Sequence, residues 1–424
     1  MHAMASSARP RPQRRKRTTS SRLIRSGLTI GTAIAAANGL TAVTQLALAR
    51  LLHPADYSLL VTLFVVITIA GVPLAALQAT VARGVAADYS ERGALGAGAA
   101  LIESARELVR LSVPLSLALA ILAVPVAVVL NVQHVTPLAA TVVTVTASAG
   151  LTIVWAGLQG THRFGALGLG QVGFAMAKLI LAIGAAWAGA GVAGVMGAIA
   201  AATLATLVVG IVPLAPYLRA AAHLERARRP LLTRYSHGAG VCLMIFAILT
   251  TADVLVARVA LRPSTAGSYA AASVVARALL LVPTAITTVL FPHVSTLHDA
   301  TRERRHLLGA LGATTAASIV PVGLLLLAGR PIMGALFGSR YEAAAPLVGP
   351  LSIAMAFYAI AFVYLFHSLS IGHTRFWVAG LPVLTGQLVG FSAFHGSGRD
   401  LVGVQIAAAA AFAIAGEIFD RRTR

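Results

Sequence analysis

The chain has 424 residues, of which 58% are hydrophobic and 11% charged, with a mean hydropathy of +0.84; such a composition excludes a soluble globular protein. Thirty-three Lys and Arg against thirteen Asp and Glu give a net charge of +20, which in a soluble chain would suggest nucleic acid. In a polytopic membrane protein the same excess has another cause: basic residues gather on cytoplasmic loops and fix orientation, while either charge is costly in hydrocarbon. No nucleic-acid partner is therefore expected.

Residues 1–27 form a tail carrying eight basic residues. It resembles the basic region of a signal peptide, but the apolar run behind it is too long for a cleaved signal and eleven more follow, so a retained first span is expected. The tail itself reads as a disordered topology determinant with enough charge to touch anionic membrane lipids. A helical span needs roughly twenty apolar residues. Twelve such runs lie near Leu28–Ala49, Ser58–Ala82, Leu111–Leu130, Pro137–Leu158, Gly165–Ala188, Val192–Leu214, Gly238–Leu261, Ala266–Phe291, Leu307–Leu327, Ala344–His367, Phe376–Phe394 and Leu401–Phe419. Strands of a membrane barrel would be about ten residues long and alternate in polarity, so the fold class is all-α. With the N-terminus inside, twenty-five of the thirty-three basic residues fall on the inner side. The sequence thus predicts a multi-pass protein of the inner (plasma) membrane with both termini cytoplasmic.

Polar residues within these spans are the candidate site. In the first span Asn38, Thr41 and Gln45 share one helical face, which meets Arg50 a turn later. That face either hydrogen-bonds neighbouring helices or lines a hydrated path. Arg50 and Arg83 lie at span ends, where they either snorkel as topology anchors or reach a cavity. The connection Arg83–Arg110 carries Glu103, Arg106, Glu107 and Arg110 at helical spacing; it reads as a charged connector or as an amphipathic helix on the membrane surface. Lys178 falls mid-way along the fifth span, Asp253 in the outer half of the seventh and Arg277 mid-way along the eighth. His367 ends the tenth span at the inner interface, and Glu417 lies near the inner end of the twelfth. Prolines 73, 114, 283 and 321 suggest kinks. The histidines show no metal-ligand pattern, and the single Cys242 allows no disulfide within the chain and no cysteine-based metal site. With no soluble catalytic domain, neither an enzyme activity nor a cofactor is expected.

The sequence also repeats. Gly160-Thr-His-Arg-Phe164 returns as Gly372-His-Thr-Arg-Phe376, displaced by 212 residues, and Pro54 and Pro137 are matched by Pro263 and Pro346, each displaced by 209. Two pseudo-symmetric six-helix bundles follow, 28–216 and 238–424, joined by a basic linker at 217–237. Because six is even, the halves enter the membrane from the same side and are related by an axis along its normal. Two such bundles can rock and expose a central site to each side in turn.

The sign of the buried charge bears on the substrate. Two central cations, Lys178 and Arg277, against one deep acid suit an anionic ligand such as a pyrophosphate, whereas a pump for cationic drugs would require cavity carboxylates. Asp253 either pairs with Lys178, Arg277 or Arg258, or titrates as an ion-coupling site. The substrate-binding candidates are Lys178, Arg277, Arg50, Arg83, Asn38 and Gln45.

Three segments carry a family resemblance: Ala49-Arg50-Leu-Leu-His-Pro54-Ala-Asp56-Tyr57 with Pro73 and Arg83; Thr251-Ala-Asp253 with Gly267-Ser-Tyr269 and Pro292; and Leu336-Phe-Gly338-Ser-Arg-Tyr341. They resemble oligosaccharide and polysaccharide flippases of the multidrug/oligosaccharidyl-lipid/polysaccharide (MOP) exporter superfamily, departing at Ser58, where that family usually has Gly. The resemblance implies translocation of a polyprenyl-pyrophosphate-linked oligosaccharide across the cytoplasmic membrane by alternating access of two lobes. It also implies a cationic central cavity. A multidrug cation antiporter of the same fold is the alternative. A second is a non-transporting membrane scaffold that recruits glycan-assembly enzymes.

Overall fold

The computed structural model describes residues 15–129, 134–222, 237–284, 286–287 and 300–423. Among them there is no strand. The helices are α1 (Arg15–Leu51), α2 (Pro54–Val129), α3 (Thr136–Gly160), α4 (Phe164–Trp187), α5 (Gly191–Ile211), α6 (Ala215–Ala221), α7 (His237–Ala260), α8 (Pro263–Arg277), α9 (Ala300–Phe337), α10 (Ala345–Ser370), α11 (Trp377–Ala393) and α12 (Gly398–Arg422). Eleven helical stretches among the described residues are long and apolar enough to cross a membrane, so the protein is a multi-pass membrane protein. The third expected span, Leu111–Leu130, is the continuation of α2 beyond Arg110; apart from the exposed Ile121 and Val128 its side chains lie outside the described residues, as does most of the linker 217–237. Helix α1 begins at Arg15, so the second half of the tail is helical rather than disordered.

The repeat is visible in where helices start. Pro54 and Pro263 open α2 and α8, and Pro137 and Pro346 stand in the first turn of α3 and α10. A residue without an N–H is tolerated there because the first-turn amides have no intrahelical acceptor. The paired turns after α3 and α10 are less regular than their sequences suggest. The residue in the left-handed region is His162 (φ 58°) in one half and Gly372 (φ 84°) in the other. Gly372 therefore corresponds structurally to His162 and not to Gly160, and the short 3-10 turn Thr374–Phe376 takes up the difference before α11.

Bends arise where the proline count did not place them. Helix α2 breaks at Gly93 (φ 60°, ψ −140°), and α9 breaks at Ala328 (φ −120°, ψ 23°). Pro331 explains the second, since it offers no amide to the carbonyl four residues back and its ring crowds that turn; Pro321, inside the same helix, leaves the backbone helical.

Between Gly93 and Arg110, α2 is more than a simple connector: it is a helix with one buried face and Arg106 and Arg110 exposed. Ala97, Ala100 and Leu101 are buried, in a core with Val154, Leu158, Leu214 and Tyr217. That core serves the linker end of the N-terminal bundle alone. The larger core is shared: Leu48, Tyr57, Leu60 and Leu63 of α1 and α2 pack in one cluster with Tyr269, Phe337, Tyr341 and Leu351 of the C-terminal bundle. Large apolar side chains such as Leu169, Trp187 and Leu327 stay exposed, as expected where the surrounding solvent is lipid, which is as apolar as they are.

Candidate functional site

At the end of the molecule bearing Arg50, the two bundles are clasped together. Arg50 Nε donates to the carbonyl of Leu336 at 2.9 Å, and its Nη2 donates to that of Ala335. Both acceptors lie in the last turn of α9, where helix carbonyls lack intrahelical partners and a cation is favoured by the helix dipole. Arg258 Nη1 reaches the Ala55 carbonyl at 3.3 Å. Gly267 of α8 lies so close to Pro54 that a Cβ there would stand 2.0 Å from the Pro54 carbonyl oxygen. Gly338 (φ 90°) turns the chain after α9, bringing Tyr341 beside Tyr57 with ring centroids 5.8 Å apart, while Phe337 stands 6.2 Å from Tyr57. The family-like segments around Arg50–Tyr57, Gly267–Tyr269 and Leu336–Tyr341 thus converge on one interlobe contact. Sequence reading had them in hand as motifs without knowing that they meet.

Asp253 and Arg277 form a second group. Arg277 Nη2 lies 2.6 Å from Asp253 Oδ1, and Arg277 Nε donates to the Thr250 carbonyl at 2.9 Å. Tyr269 and Ser273 hydroxyls donate to Asp253 Oδ2, each at 3.1 Å. Tyr269, Ser273 and Arg277 are spaced four apart on α8 and so share the face turned to α7, a periodicity that could have been read from the sequence. Asp253 is fully buried and holds three donors. One turn back along α7, the Leu249 carbonyl accepts from the side-chain amides of Gln387 and Gln405, whose own amides meet at 2.6 Å. Buried polar groups of this kind are retained where each finds a partner.

Lys178 stands elsewhere. Its Nζ donates to Thr41 Oγ1 at 3.2 Å and lies 5.4 Å from the centre of the Phe174 ring. A cavity of about 140 Å³ surrounds it, lined by Thr41, Thr44 and Gln45 of α1, Phe64, Ile67 and Thr68 of α2, and Lys178 itself. Three hydroxyls, one amide and one ammonium thus face a common space. Among the described residues no carboxylate pairs with this ammonium. Thr44 and Thr68 give their hydroxyl protons to the carbonyls of Leu40 and Phe64, so the donors offered to an oxyanion are the ammonium, the Gln45 amide and the Thr41 hydroxyl.

The structure therefore brings together Lys178 and Gln45, adding Thr41, Thr44 and Thr68, which sequence reading had not named as ligands apart from the Thr41 stripe. It does not bring in the others. Asn38 and Arg83 are exposed, Arg50 serves the clasp, and Arg277 is engaged by Asp253. His367, at the inner end of the tenth span, is buried among charged groups there: its Nε2 is 3.4 Å from Glu303 Oε1 and 3.5 Å from Asp420 Oδ1. Beside it Arg304 bridges Glu417 (3.0 Å) and Asp420 (2.9 Å), and the Tyr364 hydroxyl donates to Glu417 at 2.7 Å. This cluster ties the start of α9 to the ends of α10 and α12. Among the described residues no group of three His, Cys, Asp or Glu is placed to hold a metal.

The sequence profile of a family described as polysaccharide biosynthesis protein matches residues 107–346, more than half of the chain. No curated protein matches in sequence. Among solved structures, an inward-facing multidrug resistance MATE family transporter of the MOP superfamily superposes with a TM-score of 0.71 at 15% identity, covering 89% of this chain and 92% of that one. The lipid II flippase MurJ in an inward closed conformation gives 0.69 at 13% identity, over 93% and 87%. The MATE multidrug transporter DinF-BH gives 0.65 at 14%, over 93% and 95%. At these identities the likeness is one of fold: the chain is folded like MOP-superfamily transporters.

Proposed function

The chain belongs to the polysaccharide biosynthesis protein family, and from that premise we infer that it is a flippase carrying a polyprenyl-pyrophosphate-linked oligosaccharide across the cytoplasmic membrane. The observation that carries this reading is the Lys178 cavity. A cation at membrane depth, answered by hydroxyls and not by a carboxylate, is complementary to an anionic head group. The basic excess on the linker side supports an orientation with both termini in the cytoplasm. In that orientation the Arg50 clasp lies at the outer end of the contact between the bundles. Alternating access then requires the clasp to open.

The fold likeness to multidrug transporters favours one competing reading, an antiporter for cationic drugs. Such a cargo needs an available carboxylate, and Asp253, the deep acid of the seventh span, is already paired with Arg277. We therefore assign Asp253 and Arg277 a structural role and the substrate contact to Lys178, Gln45 and the threonines. Deleting the gene should abolish surface glycan without changing the efflux of a cationic dye. Wild-type glycan export together with increased dye accumulation would favour the antiporter.

A further inference from the structure

A second opening is lined by Phe174, the ring beside the Lys178 ammonium. A groove of about 470 Å³ runs between α3, α4 and α5, in the size range of small-molecule sites. Its walls are almost wholly apolar, among them Trp155, Leu169, Phe174 and Val209. The groove exists because α4 carries Gly170 and Gly173 where it would otherwise be filled: a Cβ at Gly173 would meet nothing within 4 Å, and one at Gly170 only Trp155 Nε1, at 3.9 Å. Phe174 lines this groove on one side and lies under the Lys178 ammonium on the other. One aromatic side chain thus connects the apolar groove to the ammonium that lines the cationic cavity.

Resting on the flippase reading, we propose that this groove seats the first isoprene units of the substrate's lipid chain while its pyrophosphate is held at Lys178. The pairing matches one ligand chemistry. A glycerophospholipid brings two chains to one phosphate, whereas a polyprenyl pyrophosphate brings a single chain to two phosphates. One groove beside one cation-bearing cavity fits the latter. Because lipid is as apolar as the groove, the chain is held there by packing rather than by removal from water, and the ammonium fixes which end of the chain is bound.

The test uses the full chain in lipid nanodiscs with a polyprenyl pyrophosphate bearing a photoreactive diazirine on its second isoprene unit. The expected result is labelling of Leu169, Phe174 or Val209, and binding weakened about tenfold by Gly170→Leu with Gly173→Leu. A Cβ at Gly173 meets nothing and one at Gly170 only an ordinary van der Waals contact, so folding is expected to be retained, which the thermal midpoint verifies. Binding that survives the two leucines with labels elsewhere would overturn the groove and leave the flippase reading standing. Equal labelling by a diazirine glycerophospholipid in the presence of excess polyprenyl pyrophosphate would assign the groove to bulk lipid and overturn the proposal. Absence of any saturable binding would overturn both.

Discussion

Asp253 Oδ1 and Arg277 Nη2 stand 2.6 Å apart between α7 and α8. That contact divides the two cations the sequence places at membrane depth into different roles. Arg277 is neutralised within its own bundle, and Lys178 is left to face a cavity. Asp253→Asn should accordingly strand a guanidinium in a buried site and lower stability by about 3 kcal/mol or more. Asp253→Asn with Arg277→Gln should recover much of that loss, because no uncompensated charge remains. Thermal unfolding of the two variants and the single Arg277→Gln closes the cycle. Glycan export restored in the double variant agrees with a structural pair, whereas export lost in a stable double variant would make Asp253 the coupling group.

The Gly267–Pro54 approach sets a second expectation. A methyl group at Gly267 would collide with the Pro54 carbonyl, and backbone gives less readily than a side-chain tip. Overpacking of about 1 to 3 kcal/mol shifts a two-state equilibrium by about 5- to 150-fold. Gly267→Ala should therefore open the clasp. With Cys242 replaced by Ala and Ser58, buried one turn after Pro54 on α2, replaced by Cys, labelling by a membrane-impermeant thiol reagent should rise in the Gly267→Ala background. Unchanged labelling would mean the closed clasp does not depend on this contact.

Arg304 supplies a third. It pairs with Glu417 and Asp420 at the opposite end of the C-terminal bundle, and charge-assisted hydrogen bonds of this kind contribute about 1.5 to 3 kcal/mol. Arg304→Ala should lower the thermal midpoint clearly. Arg304→Lys should fall between, since an ammonium keeps the charge but not the fork that spans two carboxylates. Equal midpoints for Arg304→Lys and wild type would reduce the cluster to simple charge balance.

Much of the fold was legible because hydrocarbon imposes long apolar runs: eleven of the twelve expected spans coincide with helices long and apolar enough to cross a membrane, the third, Leu111–Leu130, lying largely outside the described side chains. What composition hides is how helices meet. Gly267 looked like one small residue among many, and only its position against Pro54 makes it a contact. Arg50 looked equally suited to an anchor or a cavity, because both roles place an arginine at a span end. His367 looked interfacial because the tenth span ends there, yet Glu303 and Asp420 arrive from distant segments to bury it. Lys178 was legible, since a lysine mid-span has few inexpensive explanations. Its partners Thr44 and Thr68 were not, as threonines in spans usually bond to their own helix, and these two do so as well.

The most direct measurement is the rate at which the purified protein, reconstituted in vesicles, moves a polyprenyl-pyrophosphate-linked saccharide between leaflets. Lys178→Gln should slow it about tenfold or more with an unchanged thermal midpoint, and Lys178→Arg should restore most of the rate. A Lys178→Gln protein that flips at the wild-type rate would contradict the assignment of the substrate's phosphates to Lys178.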